Sequence, residues 1–201
     1  MGLITPKDIE EKKLLYQKYE KHFMKAGFTY EIACKLFPII QQSVWDMFGL
    51  FCCAKKIPEG GTYLELGSKW GGSLACVFYA SQVAGHKIKM IAIEPQLLPK
   101  CRNFCEKHNI RFIRGYSHVV MHEIKNDSVD FLFIDGPHNY KTVSRDLKYY
   151  WPKIKEGGFV TGHDYTKEFS GVAKAVREFF GENHIVLSHS TIYVAKKEIK
   201  G

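Results

Sequence analysis

The 201-residue sequence lacks the features that mark several special classes of protein. It has no low-complexity run and no repeat at a fixed period, which argues against solenoid and fibrous architectures. Its hydrophobic fraction of 45% and its charged fraction of 25% are ordinary for a globular chain. We therefore expect one compact unit that is large enough to bury a proper core.

The sequence also lacks a long apolar segment. The best candidate for a membrane span lies between Lys35 and Lys55, but Pro38 and Asp46 interrupt it, so a buried or interfacial helix is expected there. The first twenty residues carry too much charge for a secretory signal. These observations predict a cytoplasmic protein that makes no contact with a membrane.

Cysteine pairs with metal-ligand spacing are absent as well. Cys52 and Cys53 are adjacent, Cys101 and Cys105 lie one helical turn apart, and no CxxC occurs, so reduced and mostly buried thiols are predicted. The formal charge of +8 would suit an anionic partner. Because the lysines are scattered singly and in pairs, we expect an ordinary solvated surface, and nucleic acid is not the expected substrate.

Helical patterns dominate the chain before residue 59. The first predicted helix covers residues 5 to about 26, with Pro6 in its first turn. A second helical region covers residues 29 to about 56 and is expected to kink or break at Pro38. Residues 1–58 would form a lid over a site or the subunit interface of a homo-oligomer, and simple core packing of their aromatic side chains is the alternative.

From residue 59 onward, short apolar runs alternate with helix-length segments. Strands that are apolar on both faces predict a parallel sheet with helices on both sides, which is a Rossmann-like, doubly wound α/β domain over residues 59–201. The final run, HIVLSHSTIYVAKK, predicts an antiparallel hairpin at the edge of that sheet. The earlier predicted strands lie in TYLELG, KIKMIAIEP, IRFIRG, SVDFLFIDG and GGFVTGHD.

A glycine-rich turn, TYLELGSKWGGSL, joins the first predicted strand to a helix. Ligands bind at such turns because helix N-termini offer free N–H groups and glycine lets the backbone approach closely. The spacing does not fit a phosphate-binding GxxxxGK loop, since Lys69 is misplaced, or the dinucleotide fingerprint GxGxxG, since three residues separate Gly67 from Gly71. A purely structural turn is the alternative interpretation.

Acidic residues and histidines follow the other strands at the same sheet edge. Glu94 ends the second strand, where a carboxylate can accept hydrogen bonds from both hydroxyls of a ribose. Asp135, His138, His163 and Asp164 should converge nearby, and such a group could hold Mg²⁺, Ca²⁺ or Mn²⁺. Asp135 and Asp164 are the first predicted ligands, with His163 as a weaker one. Alternatively, Asp164 caps the next segment and His163 fills a polar gap.

With these residues in place, positions 60–180 resemble class I S-adenosylmethionine-dependent methyltransferases. The resemblance is strongest to the O-methyltransferase branch that includes antibiotic-sugar O-methyltransferases and cephalosporin-hydroxylase-like proteins. Six motifs occur in family order and at family spacing. They are LELGSKWGGS, IAIEP, RFIRGYS, DFLFIDGPHNY, KIKEGGFVTGHDY and GVAKAVREF.

The resemblance implies a task for each matched residue. It places Asp135 and Asp164 at the family's metal positions. It also places His138 where catechol O-methyltransferases carry a catalytic lysine, so His138 is the candidate general base and Asp135 its catalytic partner. Two positions depart from the pattern: Tyr116 replaces an acidic residue near the adenine, and His163 replaces a carboxylate. The implied cofactor-binding residues are Glu65, Gly67, Ser68, Gly71 and Ser73 around the methionine part, Glu94 at the ribose, Ser117 beside the adenine, and Asp135.

Together these features predict a methyltransferase that moves a methyl group from S-adenosyl-L-methionine to a small hydroxylated acceptor, a sugar or a phenol, with help from Mg²⁺ or another divalent cation. The acceptor would be selected by residues 1–58 and 165–170. Three alternatives stay open at this point: a hydroxylase-like protein, an accessory cofactor-binding protein of the same fold, and a nucleic-acid methyltransferase.

Overall fold

The computed structural model describes residues 4–96 and 98–199, which fold into one sheet with α-helices on both faces. This architecture confirms the predicted doubly wound α/β fold. The strands are β1 (Thr62–Leu66), β2 (Lys89–Ile93), β3 (Arg111–Ile113), β4 (Val129–Ile134), β5 (Ile154–Gly162), β6 (Ile185–Val186) and β7 (Tyr193–Lys196). The helices are α1 (Pro6–Lys25), α2 (Tyr30–Leu36), α3 (Val44–Ala54), α4 (Gly72–Ala84), α5 (Pro99–Lys107), α6 (Ser117–Val120), α7 (Tyr140–Tyr150) and α8 (Ser170–Phe180).

The strands follow the order β3-β2-β1-β4-β5-β7-β6 across the sheet. The first five strands run parallel, and the direction of the strand order reverses between β1 and β4. In open α/β sheets, ligands bind beyond the carboxyl ends of the strands at such a reversal. At the far edge, β7 pairs antiparallel with both β5 and β6, which confirms the predicted C-terminal hairpin.

The N-terminal helices begin and end at recognisable local signals. Thr5 and Asp8 form a capping box at the start of α1, as the sequence predicts. The second helical region is broken rather than kinked, because α2 ends before Pro38 and a new capping box of Ser43 and Asp46 starts α3. The connection between α2 and α3 is therefore free to turn toward the sheet.

Two hydrophobic clusters cover the opposite faces of the sheet. Because side chains alternate along a strand, Tyr63 of β1 packs on the side of α1 to α4, whereas Leu64 and Leu66 pack on the side of α7 and α8. The first cluster also contains Phe51 of α3 and Val77 of α4, both fully buried. The N-terminal extension, which comprises residues 4–58 of the described chain, thus shares one core with the sheet.

The described helices and the cysteines show neither a candidate membrane span nor a disulfide. Among the described residues, no helix has the length and apolarity needed to cross a membrane. All six cysteines are free thiols, and four of them are buried among apolar side chains. Buried free cysteines of this kind pack as small hydrophobic residues.

Candidate active site

The carboxyl ends of the central strands meet at one edge of the sheet. They end in register, because Leu66 pairs with Ile93 on one side and with Ile134 on the other. Ile134 pairs in turn with Gly162 of β5. The residues that directly follow these four positions are Gly67, Glu94, Asp135 and His163.

A cavity of about 540 Å³ opens along this edge. Its walls come from the glycine turn, the ends of β2, β3 and β4, helix α7, and the residues Ile39, Gln41 and Gln42 that precede α3. Glu65 and Asp164 do not line it, although both were predicted at the site. The predicted residues that do line it are Gly67, Ser68, Gly71, Ser73, Glu94, Ser117, Asp135, His138 and His163.

Glycine is required in the turn by the protein itself as well as by a ligand. Gly67 has a positive φ of 98°, and a Cβ there would lie 2.3 Å from the backbone oxygen of Asp135. Gly71 has a φ of 78°, and a Cβ there would lie 2.8 Å from Cys101 Sγ on α5. Only glycine therefore lets the loop after β4 and helix α5 close around the turn.

Glu65 lies under the glycine turn rather than in the cavity wall. It is fully buried, and its carboxylate accepts hydrogen bonds from Tyr63 Oη at 2.6 Å and Ser73 Oγ at 2.7 Å. Burial is the largest influence on this carboxyl and raises its pKa to about 7. Glu65 thus fixes Ser73, which does reach the cavity, at the start of α4.

Several polar groups of the glycine turn have no partner within the described chain. Ser68 Oγ and Trp70 Nε1 are buried without a hydrogen bond, and both residues line the cavity. Gly71, the residue before α4, offers no side-chain cap, so the first N–H groups of that helix stay available. An S-adenosylmethionine molecule fits such a wall, because its carboxylate needs donors of this kind.

Glu94 is held at the opposite side of the turn. Its Oε1 accepts a hydrogen bond from the backbone N–H of Gln96 at 2.9 Å, and its Oε2 accepts one from the N–H of Lys69 at 3.3 Å. The side chain is buried yet lines the cavity. A fixed carboxylate at the end of β2 is the group that would hold the ribose hydroxyls.

Two histidines and three aspartates form a charged cluster at the other end of the cavity. His138 Nδ1 lies 2.8 Å from Asp164 Oδ2. His163 Nδ1 lies 3.0 Å from Asp164 Oδ1 and 3.8 Å from Asp135 Oδ1, and its Nε2 lies 3.5 Å from Asp46 Oδ2. Neither nitrogen of His163 has an aligned hydrogen bond among the described residues, so its contacts are ionic.

These contacts shift the pKa values within the cluster. Burial would lower the pKa of His163, but Asp164 and Asp46 outweigh it and raise that pKa to about 10. Burial raises the pKa of Asp135 to about 6, against the opposing effect of His163. Burial would also raise the pKa of Asp164, but the contacts with His138 and His163 outweigh it and lower that pKa. The contact with Asp164 raises the pKa of His138.

Part of this cluster could bind a divalent cation. Asp135, His138 and Asp164 offer ligand atoms that all lie within 4.8 Å of one another. Carboxylate oxygens suit Mg²⁺ and Mn²⁺, and an imidazole also suits transition metals, so the donor set fits a divalent cation. His163 lies outside this group of the described chain, and its positive charge contacts the same two carboxylates.

Two residues of the N-terminal extension contact the cluster, although no sequence motif predicts these contacts. Gln42 lines the cavity, and its Nε2 donates a hydrogen bond of 2.7 Å to Asp135 Oδ2. Asp46 is buried beside His163 and also accepts a hydrogen bond of 2.7 Å from the N–H of Thr191. The only sequence signal at Asp46 is its capping box, which predicts a helix start and not a place in the site.

A third unpredicted residue, Asp146 of α7, lies at the end of the cavity near β3. It is 1% exposed, and it accepts a hydrogen bond of 2.7 Å from Ser117 Oγ. Arg145 also lines the cavity there, with Nε 3.7 Å from Asp146 Oδ1. The sequence gives no sign of this contact, because α7 approaches the end of β3 only in the folded chain.

Comparison with known proteins agrees with this geometry. A family model described as a methyltransferase domain matches residues 64–165. An uncharacterized protein of Acanthamoeba polyphaga mimivirus is 27% identical in an alignment 118 residues long, which covers 52% of this chain and 51% of that protein. The chain therefore spans about half the length of the curated relative that it matches.

Solved structures with this fold include two methyltransferases. CalS11, a TDP-rhamnose 3'-O-methyltransferase of calicheamicin biosynthesis, matches with a TM-score of 0.60 at 14% identity, over 96% of this chain and 95% of that chain. A SAM-dependent O-methyltransferase from Thermotoga maritima matches with a TM-score of 0.58 at 15% identity, over 85% of this chain and 72% of that chain. Since the family match covers more than half of the sequence, the chain belongs to the methyltransferase domain family, as its resemblance to class I S-adenosylmethionine-dependent methyltransferases predicts.

Proposed function

We propose that the protein transfers the methyl group of S-adenosyl-L-methionine to a hydroxyl of a small sugar or phenolic acceptor. One observation carries this proposal: a single cavity joins the glycine turn and Glu94 to Asp135 and His138. A cofactor held by the glycine turn and Glu94 would direct its sulfonium toward the base, His138, at the other end of the cavity. A protein that only bound the cofactor would have no need of that second end.

The cofactor would be held by the residues that form the turn. The free N–H groups at the start of α4 and the unpaired hydroxyl of Ser68 would bind its amino acid part, with Ser73 fixed beside them by Glu65. Glu94 would accept hydrogen bonds from the ribose hydroxyls, and Ser117 would border the adenine. When bound, the cofactor supplies the electrophilic methyl group.

Methyl transfer from a sulfonium is an in-line displacement, so the main task of the protein is to hold the acceptor oxygen opposite the departing sulfur. His138 lines the cavity, and Nδ1 is engaged by Asp164, which leaves Nε2 without a partner among the described residues. Nε2 would take the proton of the acceptor hydroxyl as the new C–O bond forms. Asp164 would orient the imidazole and stabilise its protonated form.

Asp135 and Asp164 would hold the divalent cation, whose chemistry is to stabilise the negative charge on the acceptor oxygen. The imidazolium of His163 contacts the same carboxylates, so a cation at this site would bind beside an existing positive charge. Removal of metal by EDTA should therefore reduce turnover, and addition of Mg²⁺ or Mn²⁺ should restore it. Unchanged turnover in EDTA would contradict the proposed role of a cation.

Residues 1–58 are proposed to act as a lid rather than as a subunit interface. This proposal is supported by the loop between α2 and α3, because its residues Ile39, Gln41 and Gln42 line the cavity. Lys12 of α1 donates a hydrogen bond of 2.5 Å to the backbone oxygen of Ile40 and holds this loop in place. CalS11, whose fold this chain shares, is described as acting on a TDP-linked sugar, and this supports a sugar as one acceptor class to test.

The proposal is tested by incubating the protein with S-adenosylmethionine that carries a labelled methyl group and with separate acceptor panels of nucleotide sugars, simple glycosides and catechols. Label in an ether product of one panel supports O-methylation. Label in added RNA, together with retention on RNA that falls steeply with salt, would favour a nucleic-acid methyltransferase instead. No transfer to any panel despite cofactor binding would favour an accessory protein.

A further inference from the structure

The end of the cavity near β3 contains a carboxylate that the proposed chemistry does not use. Asp146 projects from the second turn of α7, is 1% exposed and lines the cavity together with Gly115, Tyr116 and Ser117. These three residues follow β3 and form the part of the wall that would border the adenine.

The contacts of Asp146 leave part of its carboxylate without a donor. Oδ1 accepts the hydrogen bond from Ser117 Oγ, and none of the hydrogen bonds among the described residues uses Oδ2. Ser117 is fixed from its other side, because Tyr150 Oη donates a bond of 2.8 Å to its backbone oxygen. The carboxylate is thus fixed in position, and within the described chain only its Oδ1 accepts a hydrogen bond.

A buried carboxylate with a free oxygen is costly unless a donor reaches it. The nearby cation does not supply a close partner, since Arg145 Nε stands 3.7 Å from Oδ1 and is itself buried without a hydrogen bond. Burial raises the pKa of Asp146 and outweighs the opposing effects of Ser117, Arg145 and His118. A ligand that brings an N–H group to this end of the cavity would complete the arrangement.

We propose that Asp146 of helix α7 accepts a hydrogen bond from the exocyclic amino group of the cofactor's adenine. This inference rests on the proposed function, because it assumes that the cavity holds S-adenosylmethionine. An adenine amine donates to a carboxylate, whereas the carbonyl oxygen of a hypoxanthine ring would repel it. Asp146 therefore makes the site selective for adenine over its deaminated form.

The test is calorimetric titration at pH 8 with S-adenosylhomocysteine and with S-inosylhomocysteine, in which a carbonyl oxygen replaces the amino group. The wild-type protein should bind the adenosyl compound at least about tenfold more tightly, in line with a hydrogen bond to a charged group. Asp146→Asn should reduce this ratio to about threefold or less, because the amide can donate to the carbonyl oxygen. Asp127→Asn, at an exposed aspartate, should keep the wild-type ratio.

A second variant separates recognition from a merely structural role. Asp146→Ala removes the carboxylate without adding a donor, so the ratio should fall to about threefold or less here too, whereas a merely structural role would weaken both ligands equally. Equal weakening of both ligands by Asp146→Asn, with the ratio unchanged, would overturn the inference. Equal binding of the two ligands by the wild-type protein would overturn it even if Asp146→Asn fails to fold. If neither ligand binds to the wild-type protein, the proposed function itself is overturned.

Discussion

Replacement of His138 by alanine should lower turnover by about 10²- to 10⁴-fold, the usual contribution of a positioned general base. The loss is expected because His138 lines the cavity and its Nδ1 lies 2.8 Å from Asp164, which would orient the imidazole toward the acceptor. Turnover should be measured with saturating acceptor across a pH series, with His122→Ala, an exposed histidine outside the cavity, as the matched control. Equal rates for His138→Ala and the control at every pH would place the base elsewhere.

Glu65 provides a second prediction at the residue scale, in the pH dependence of stability. Its pKa is raised from 4.5 to about 7, so the folded state keeps a proton that the unfolded state releases first. Stability should therefore fall as pH rises from about 4.5 to about 7, by about 3 kcal/mol at roughly 1.4 kcal/mol per pKa unit. Glu65→Gln should lose this part of the pH dependence in urea unfolding at pH 5 and pH 8. An equal loss of stability in both proteins would contradict the assignment.

At the scale of single elements, the glycine turn must accommodate both the loop after β4 and the cofactor. Gly67→Ala should destabilise the fold and abolish cofactor binding, because its methyl group would collide with the backbone of Asp135. Gly85→Ala is the matched control, since Gly85 also has a positive φ, of 73°, but has open space around it. Gly85→Ala should lower the free energy of unfolding only by its conformational strain, about 1 to 2 kcal/mol, and the variant should still bind the cofactor. Equal effects in urea unfolding and calorimetry would refute the packing explanation.

The same elements show how far the sequence predicts this molecule. The strands, the terminal hairpin and the break at Pro38 follow from local patterns of apolar residues, proline and helix caps. Four of the predicted site residues line the cavity for a similar reason, since each directly follows a strand of the parallel sheet. The contacts of Gln42 with Asp135 and of Asp46 with Thr191 join residues 93 and 145 positions apart, and no local pattern encodes them. Glu65 is buried because strand alternation turns it away from the cavity.

For the whole molecule, the N-terminal extension should be indispensable to folding. Its side chains share one hydrophobic cluster with α4 and the sheet, and its Asp46 contacts both His163 and Thr191. A fragment of residues 59–201 would expose that cluster to water, so we expect it not to unfold cooperatively in urea. The full chain under the same conditions is the control. Cooperative unfolding of the fragment would show that residues 59–201 form an independent domain.

The measurement that tests the proposed function most directly is calorimetric titration of S-adenosylmethionine and S-adenosylhomocysteine into the full chain, with and without Mg²⁺. The glycine turn, the unpaired donors of Ser68 and Trp70 and the fixed carboxylate of Glu94 all predict micromolar binding of both compounds. If Asp135 and Asp164 hold a cation that serves the acceptor, Mg²⁺ should leave this affinity largely unchanged. Absence of binding under both conditions would contradict the proposal that this cavity serves methyl transfer.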